Sequence, residues 1–343
     1  MSEREQKKRV PVKRWIVLAL VAAGIYAAFI GPSILKPVSP VVVLPGEPTG
    51  LSIGGFEITN TTLATLLADL LLILIALGVR RFYRGGRLVP SGIYNAFEAI
   101  VEYLWNTVEG AAGSKWVKRV FPVVATIFLL IFIANMVKLV PGFESIGRLI
   151  ERHEGTGYAA VKLGPVYTID GGQKIEVVTH EGEESVIETE NGAPCKACEL
   201  VPFLRGSATD LNFPFALAFI AVLMTQAYGV WANGPGYFEK FFQFRQLVSG
   251  GPFGAINFLV GLLEIVLEFA KILSFGFRLF GNIFAGALLL SIVGALTAVI
   301  VPPGLYLFEV FFGIIQAYVF FLLATMFISG AIASHHGADK QHS

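Results

Sequence analysis

Charged residues are scarce in this chain. Only 15% of its 343 residues are charged and 55% are apolar, whereas soluble domains carry roughly 25% charged residues. The 26 basic and 25 acidic side chains nearly cancel, so no basic field favours a nucleic-acid partner. The apolar residues form long runs, and runs of about 20 apolar residues are typical of membrane-spanning helices. The composition therefore predicts an integral protein of a lipid bilayer.

Cysteine is almost absent. Cys195 and Cys198 form a C-x-x-C pair in the longest polar stretch. This spacing fits a structural disulfide, half of a metal site or no role at all, and the three alternatives stay open here. A zinc site would need two more ligands, and the nearest histidines are His153 and His180.

Catalytic motifs are absent as well. The sequence contains no phosphate-binding G-x-x-x-x-G-K-[ST] loop, and its five histidines all lie outside the apolar runs. Without a metal-ligand cluster or a nucleophilic triad, we expect no catalytic site, no cofactor and no metal in this chain.

The apolar runs and the Lys/Arg-rich loops predict about six membrane elements with both termini in the cytoplasm. Six Lys/Arg precede the first run, which favours a retained anchor over a cleaved signal peptide. The elements are predicted at 15–31, 63–79, 120–140, 213–232, 254–298 and 305–332.

The segments between these runs have their own patterns. Apolar residues at helical spacing over 93–108 predict an amphipathic helix on the inner face, and the Pro/Gly-rich residues 32–60 indicate an external loop. Residues 145–207 form a polar external insert, and alternation over 171–192 predicts a small β-hairpin there.

Residues 254–298 are too long for a simple span. They contain no proline, and as one helix 45 residues would extend about 67 Å across a hydrocarbon layer of about 30 Å. The segment therefore turns back as a hairpin or lies strongly tilted.

Polar residues in this segment share one stripe. At 100° per residue they lie within about 80° of each other, although a charge at the bilayer centre costs about 2.5–3.5 kcal/mol. Spacings of three and four predict ion pairs among the first three, whereas Arg278 needs a partner from another helix or chain. The stripe contains Glu264, Glu268, Lys271, Arg278 and Asn282.

The last run adds two polar residues on one face. Glu309 and Gln316 are seven residues apart, and Glu309 closely follows Pro302 and Pro303. A carboxylate near the outer surface could pass protons inward from outside water. Asp69, in an early run, stays open between an interface position and a helix-packing polar group.

Residues 275–289, FGFRLFGNIFAGALL, resemble the signature of subunit a of F-type ATP synthases, the stator subunit of the membrane sector. Four further stretches are similar to that family, namely PSGIYNAFEAIVEYLWNTV, TIFLLIFIANMVKLVPG, ATDLNFPFALAF and IIQAYVFFLLATMFISGAI. The resemblance implies an all-α polytopic membrane protein with a long tilted C-terminal helical hairpin facing the c-ring.

The resemblance also implies residue roles. Arg278 matches the arginine that faces the ring carboxylate, Asn282 matches the polar residue one turn on, and Gln316 matches the glutamine that packs against the arginine. Glu309 matches a proton-relay position, whereas the paired relay position is Ala287 here. Glu264 and Glu268 would then lie near the inner half-channel.

The family implies two half-channels that couple proton flow to ATP synthesis. The implied partners are c-ring subunits, b-type peripheral-stalk subunits and, indirectly, the catalytic head, in a bacterial cell membrane. The sequence does not decide whether the coupling ion is H⁺ or Na⁺. A secondary ion-coupled transporter is the alternative, although such transporters usually contain internal repeats and the charged stripe has no second copy.

The predicted regions are an N-terminal tip and anchor (1–54), two spans with the interfacial helix (55–144), the insert (145–207) and the translocating region (208–343).

Overall fold

The computed structural model is mostly helical and describes residues 15, 18, 19, 22, 26, 45–84, 92–152, 155–177, 195–241, 251–297 and 301–333. Six α-helices lie in this part of the chain: α1 Asn60–Arg84, α2 Ile93–Ala112, α3 Val117–Val137, α4 Asn212–Asn233, α5 Gly251–Thr297 and α6 Val301–Ala333. Six strands accompany them: β1 Pro48–Ile53, β2 Phe56–Thr59, β3 Gly147–Glu151, β4 Gly155–Leu163, β5 Val166–Val177 and β6 Cys198–Pro202. The predicted polytopic helical fold is confirmed.

Four helical segments within the described ranges are long and apolar enough to cross a membrane. They are Asn60–Arg84, Val117–Val137, Asn212–Phe238 and Val301–Ala333, and each overlaps a predicted run. Most of the first predicted run, the N-terminal tip and the C-terminal tail lie outside the described residues, so the anchor and the orientation of both termini stay predictions.

Helix α5 is the longest element. Its 47 residues form one continuous helix of about 70 Å, so the alternative in which residues 254–298 turn back on themselves is wrong. Helix α6 has 33 residues and runs antiparallel to α5, because residue 282 contacts residue 316 whereas residue 286 contacts residue 309. The two helices form the predicted long C-terminal hairpin.

The larger of two compact units comprises Val43–Ile146, Pro202–Ala285 and Val310–Ser343. Five of its helices share one apolar core, and their central side chains are at most 1% exposed: Leu104 of α2, Ile131 of α3, Ala218 of α4, Leu279 of α5 and Phe320 of α6. Helix α1 packs on α3 through Ala68. The predicted amphipathic helix is confirmed as α2, although Ile100 of its apolar stripe is 46% exposed.

Residues 48–59 are not the plain loop that their proline and glycine content predicts. β1 and β2 pair antiparallel, and Gly54 and Gly55 make the turn with φ of 62° and 88°. Two consecutive residues with positive φ suit the twist of a two-residue hairpin turn, so the glycines here favour a hairpin.

The smaller unit comprises Met1–Val42, Gly147–Val201 and Gly286–Glu309. Its sheet has the strand order β3-β6-β4-β5, which confirms a β insert. A hairpin that the sequence did not single out lies before the predicted one: β4 and β5 pair from Gly155↔Val177 to Leu163↔Val166. Of the hairpin predicted over 171–192, residues 171–177 belong to β5, and 178–192 lie outside the described residues, so that hairpin stays a prediction. Cys195 and Cys198 form a disulfide, as one of the three alternatives predicted.

Candidate functional site

Arg278 lies on the part of α5 that is exposed in this single chain. Phe275, Leu279 and Ile283 of the same helix are at most 3% exposed and anchor a neighbouring flank of α5 in the core. The Arg278 guanidinium makes one long hydrogen bond, 3.4 Å from Nη2 to Ser274 Oγ. No carboxylate of the described residues forms an ion pair with it, so its charge is not neutralised within this part of the chain.

One turn beyond the arginine, the hairpin arms are joined by a polar contact. Asn282 Nδ2 donates a 2.6 Å hydrogen bond to Gln316 Oε1. Gln316 is 3% exposed, and its Nε2 has no hydrogen-bond partner among the described residues. The structure thus brings together Asn282 and Gln316, and Gln316 bonds the asparagine rather than Arg278.

Glu309 lies two turns before Gln316 on α6 and is 7% exposed. A Cβ added to Gly286 of α5 would lie 3.0 Å from Glu309 Oε1, a close approach that only glycine allows without displacing the carboxylate. Ala287, which the family resemblance places at the paired relay position, follows directly in the chain. The predicted relay carboxylate is therefore held against the α5 backbone.

Between Glu309 and Gln316, α6 is held by a residue that sequence reasoning missed. Asn135 of α3 is 1% exposed, and its Nδ2 donates a 3.2 Å hydrogen bond to the carbonyl oxygen of Gly313. A lone amide in the apolar run of 120–140 was the available signal, because buried amides in a membrane span pair with a neighbouring helix.

Glu264 and Glu268 belong to a four-residue ion-pair cluster. Lys271 Nζ lies 2.8 Å from Glu268 Oε1, which confirms the predicted pair at spacing three. Lys240, from the 3₁₀-helix Gly234–Lys240, lies 3.4 Å from Glu264 and 3.3 Å from Glu268. Lys240 was missed, because no spacing rule connects it to α5.

The Lys240 cation is surrounded by aromatic rings and carboxylates. Its Nζ lies 4.6 Å from the ring centre of Tyr237 and 4.5 Å from that of Phe241. Burial lowers the pKa of Lys240, but the Tyr237 hydroxyl and the two carboxylates outweigh burial and raise this pKa above its usual range. The lysine therefore stays charged at every physiological pH, and it keeps Glu264 and Glu268 paired.

A second polar cluster joins the first turn of α1 to the segment before α4. Thr61 Oγ1 donates a 2.8 Å hydrogen bond to Asp210 Oδ2, and Asp210 is 3% exposed. Asn60 Nδ2 donates to Glu47 Oε2 at 3.1 Å and to the carbonyl oxygen of Pro202 at 3.2 Å. These contacts fix the end of α1, and sequence patterns alone did not single them out.

The comparisons with known proteins identify the family of this chain. A family model described as ATP synthase A chain matches residues 62–329. ATP synthase subunit a of Mycobacterium tuberculosis (strain CDC 1551 / Oshkosh) is 28% identical over 291 residues, covering 81% of this chain and 90% of the relative. Its counterpart in Helicobacter pylori (strain G27) is 24% identical over 272 residues, covering 79% and 89%. With most of its length matched, the chain belongs to the ATP synthase A chain family and is a multi-pass membrane protein.

Proposed function

We propose that the chain conducts protons as the stator component of an ATP synthase membrane sector, through two offset half-channels that meet a rotating c-ring. The observation that carries this proposal is the Arg278 guanidinium, exposed on α5 and without a carboxylate partner in the described part of the chain. An arginine in a membrane helix costs about 2.5–3.5 kcal/mol, and an ionised ring carboxylate facing it would offset that cost. The same cation would block direct leakage between the half-channels.

Glu309 is the proposed entry relay. A proton from the outer side would bind this carboxylate and pass to a ring carboxylate next to Arg278. Its near-complete burial and its contact with Gly286 support a fixed acceptor rather than a surface acid. Asn282 and Gln316 would hold the hairpin arms at the spacing that the ring contact requires, since their hydrogen bond lies one turn from the arginine.

Glu264 and Glu268 are the proposed fixed charges near the inner half-channel. After rotation, a ring carboxylate would release its proton there. Two lysines neutralise these glutamates, so their role would be to maintain a hydrated, polar exit and not to carry the proton themselves. One charge moved through 100 mV is worth about 2.3 kcal/mol, so several protons are needed for each ATP.

The proposal extends to partners and placement. Beside the c-ring, b-type peripheral-stalk subunits would hold the chain still, and the catalytic head would receive the rotation indirectly. Both termini would lie in the cytoplasm of a bacterial cell. Residues 1–54 would supply an additional anchor, 55–144 the scaffold, 145–207 an external cap and 208–343 the translocating part.

The Arg278→Ala variant tests this function. In membrane vesicles that contain the whole complex, ATP-driven proton pumping and gradient-driven ATP synthesis should both be lost, while ATP hydrolysis and the amount of chain in the complex remain. Arg81→Ala, at the exposed end of α1, is the matched control and should keep both activities. Coupled synthesis by an assembled Arg278→Ala complex would overturn the proposal, as would a purified complex without a ring of small two-helix subunits.

A further inference from the structure

A cluster of basic and indole side chains lies where two spans meet at their ends. Arg119 belongs to the first turn of α3, and Trp231 belongs to the last turn of α4. The Tyr228 hydroxyl of α4 donates a 2.7 Å hydrogen bond to the carbonyl oxygen of Arg119, so the two helix ends lie side by side. The ends of membrane-spanning helices lie at the level of the lipid head groups, where tryptophan rings are enriched.

Two indole rings hold the Arg119 guanidinium. Its central carbon lies 4.5 Å from the ring centre of Trp231 and 5.3 Å from that of Trp116. The two rings meet edge to face with their centres 5.9 Å apart. Arg119 is exposed, and no carboxylate of the described residues forms an ion pair with it. The rings therefore orient this cation without neutralising it.

Two lysines extend the positive charge. Lys115 and Lys118 are exposed, and neither forms an ion pair within the described part of the chain. Lys115 precedes Arg119 by four residues, about one helical turn. The sequence has no Asp or Glu between Glu109 and Glu144, so nearby positions do not offset the three cations. Basic pockets between membrane helices are typical sites for anionic lipid head groups.

An apolar stripe leads from the cation along α4 into the span. Its four residues lie within about 80° of each other at 100° per residue, and all are exposed: Ile220, Leu223, Ala227 and Trp231. The stripe extends over about 16 Å, which is about half of a hydrocarbon layer of about 30 Å. An acyl chain of one leaflet has the length and the chemistry to lie along it.

We propose that the oriented Arg119 cation and its two flanking lysines bind the head-group phosphate of an anionic phospholipid, whose acyl chain follows the apolar stripe of α4. A guanidinium binds a phosphate through two parallel hydrogen bonds, and lysines add point charges. The continuous apolar stripe selects a lipid over free phosphate, and three cations select an anionic head group over a zwitterionic one. The inference does not depend on the proton-conducting role proposed above.

Photolabelling of the purified complex in phosphatidylcholine nanodiscs tests the site. A small fraction of phosphatidylglycerol with a diazirine on its head group should form an adduct with the peptide that contains Trp116 or with the one that contains Trp231. The same diazirine on a phosphatidylcholine head group should label these peptides far less. Equal labelling by the two lipids would overturn the proposal. Loss of the adduct when inorganic phosphate replaces chloride at equal ionic strength would also overturn it, because the site would then bind free phosphate.

Variants separate an oriented site from general surface charge. Arg119→Gln should lower the adduct yield at least about fivefold, the factor for one basic residue near an anionic membrane surface. Trp231→Leu keeps every charge but releases the guanidinium, so it should lower the yield about two- to fivefold, the range for exposed cation–π contacts.

The matched control is Arg81→Gln. Arg81 is exposed at the end of α1, and no aromatic ring of the described residues holds its guanidinium. This variant should leave the adduct yield unchanged. Equal losses from Arg119→Gln and Arg81→Gln, or an undiminished yield from Trp231→Leu in complexes with normal amounts of the chain, would overturn the proposal.

Discussion

Asn282 and Gln316 are joined by a 2.6 Å hydrogen bond, from Nδ2 to Oε1, across the two arms of the C-terminal hairpin. The bond lies one turn beyond Arg278 on α5. Because Gln316 is 3% exposed, its carbonyl oxygen has no access to water as a substitute partner. The hydrogen bond therefore adds a polar contact to the apolar packing between the same two arms, in which the ring centres of Phe275 and Phe320 lie 4.8 Å apart.

Asn282→Leu should destabilise the hairpin, because it leaves the Gln316 amide buried without a partner at a cost of about 1–3 kcal/mol. The measurement is the denaturation temperature of the purified protein in detergent. The double variant Asn282→Leu/Gln316→Leu should recover part of the loss, since two matched apolar groups need no hydrogen bond. Losses that simply add in the double variant would show that the two side chains act independently.

Glu309→Gln should slow proton translocation by about a hundredfold, because an amide keeps the shape of the carboxylate but cannot accept and release a proton. Ala287, at the paired relay position, offers no substitute. The measurement is proton flux from about pH 6 to about pH 8 in vesicles. Unchanged flux across that range would place the entry path elsewhere.

Gly286→Ala provides a steric companion to this experiment. The added methyl group would lie 3.0 Å from Glu309 Oε1, so we expect a displaced carboxylate and slower flux in a folded chain. The matched control is Gly304→Ala on the same arm as Glu309, where an added Cβ meets no atom within 4 Å. If both alanine variants slowed proton flux equally, the cause would be a general disturbance of the hairpin and not the displaced Glu309 carboxylate.

Lys240→Met should weaken the contact between the 3₁₀-helix and α5, because two glutamates lose a shared cation. The pairs are partly exposed, so we expect a loss of about 1 kcal/mol, measured as reduced thermal stability. Because the folded-state pKa of Lys240 is raised, its contribution is present at neutral pH and is lost only as the pH rises through that raised value. The assignment would be contradicted if the wild type lost stability between neutral and mildly alkaline pH and the Lys240→Met variant did not.

Removing the insert should leave coupled ATP synthesis in place at reduced stability. Phe203 N donates a 2.9 Å hydrogen bond to the carbonyl oxygen of Ile146, so the two ends of the insert lie side by side. A short Gly/Ser linker can therefore replace residues 147–201. An assembled complex without proton flux after this deletion would mean that the insert lines the outer half-channel.

The Cys195–Cys198 disulfide provides a milder version of that test. The bond closes a loop of four residues directly before β6, for which the chain-entropy model gives about 2 kcal/mol. Cys195→Ser/Cys198→Ser should lower the stability of the insert and leave the synthesis rate unchanged. A changed rate at unchanged stability would be evidence against a purely structural bond.

The sequence by itself determined the membrane class, the helical runs, the polar stripe and the family, because hydropathy, helical period and motif are properties of neighbouring residues. Pairs close in the chain, such as Glu268 and Lys271, were predictable for the same reason. Contacts between distant segments were not: Lys240 joins Glu264 across 24 positions, and Asn135 reaches Gly313 across 178. Likewise, alternation indicated strands in the insert but not which of them pair. Only the tertiary structure decided which charges are neutralised within the chain. It also decided which charges, like those of Arg278 and Asp69, lack a partner among the described residues. The reason is that charge pairing depends on packing between elements, which no local pattern encodes.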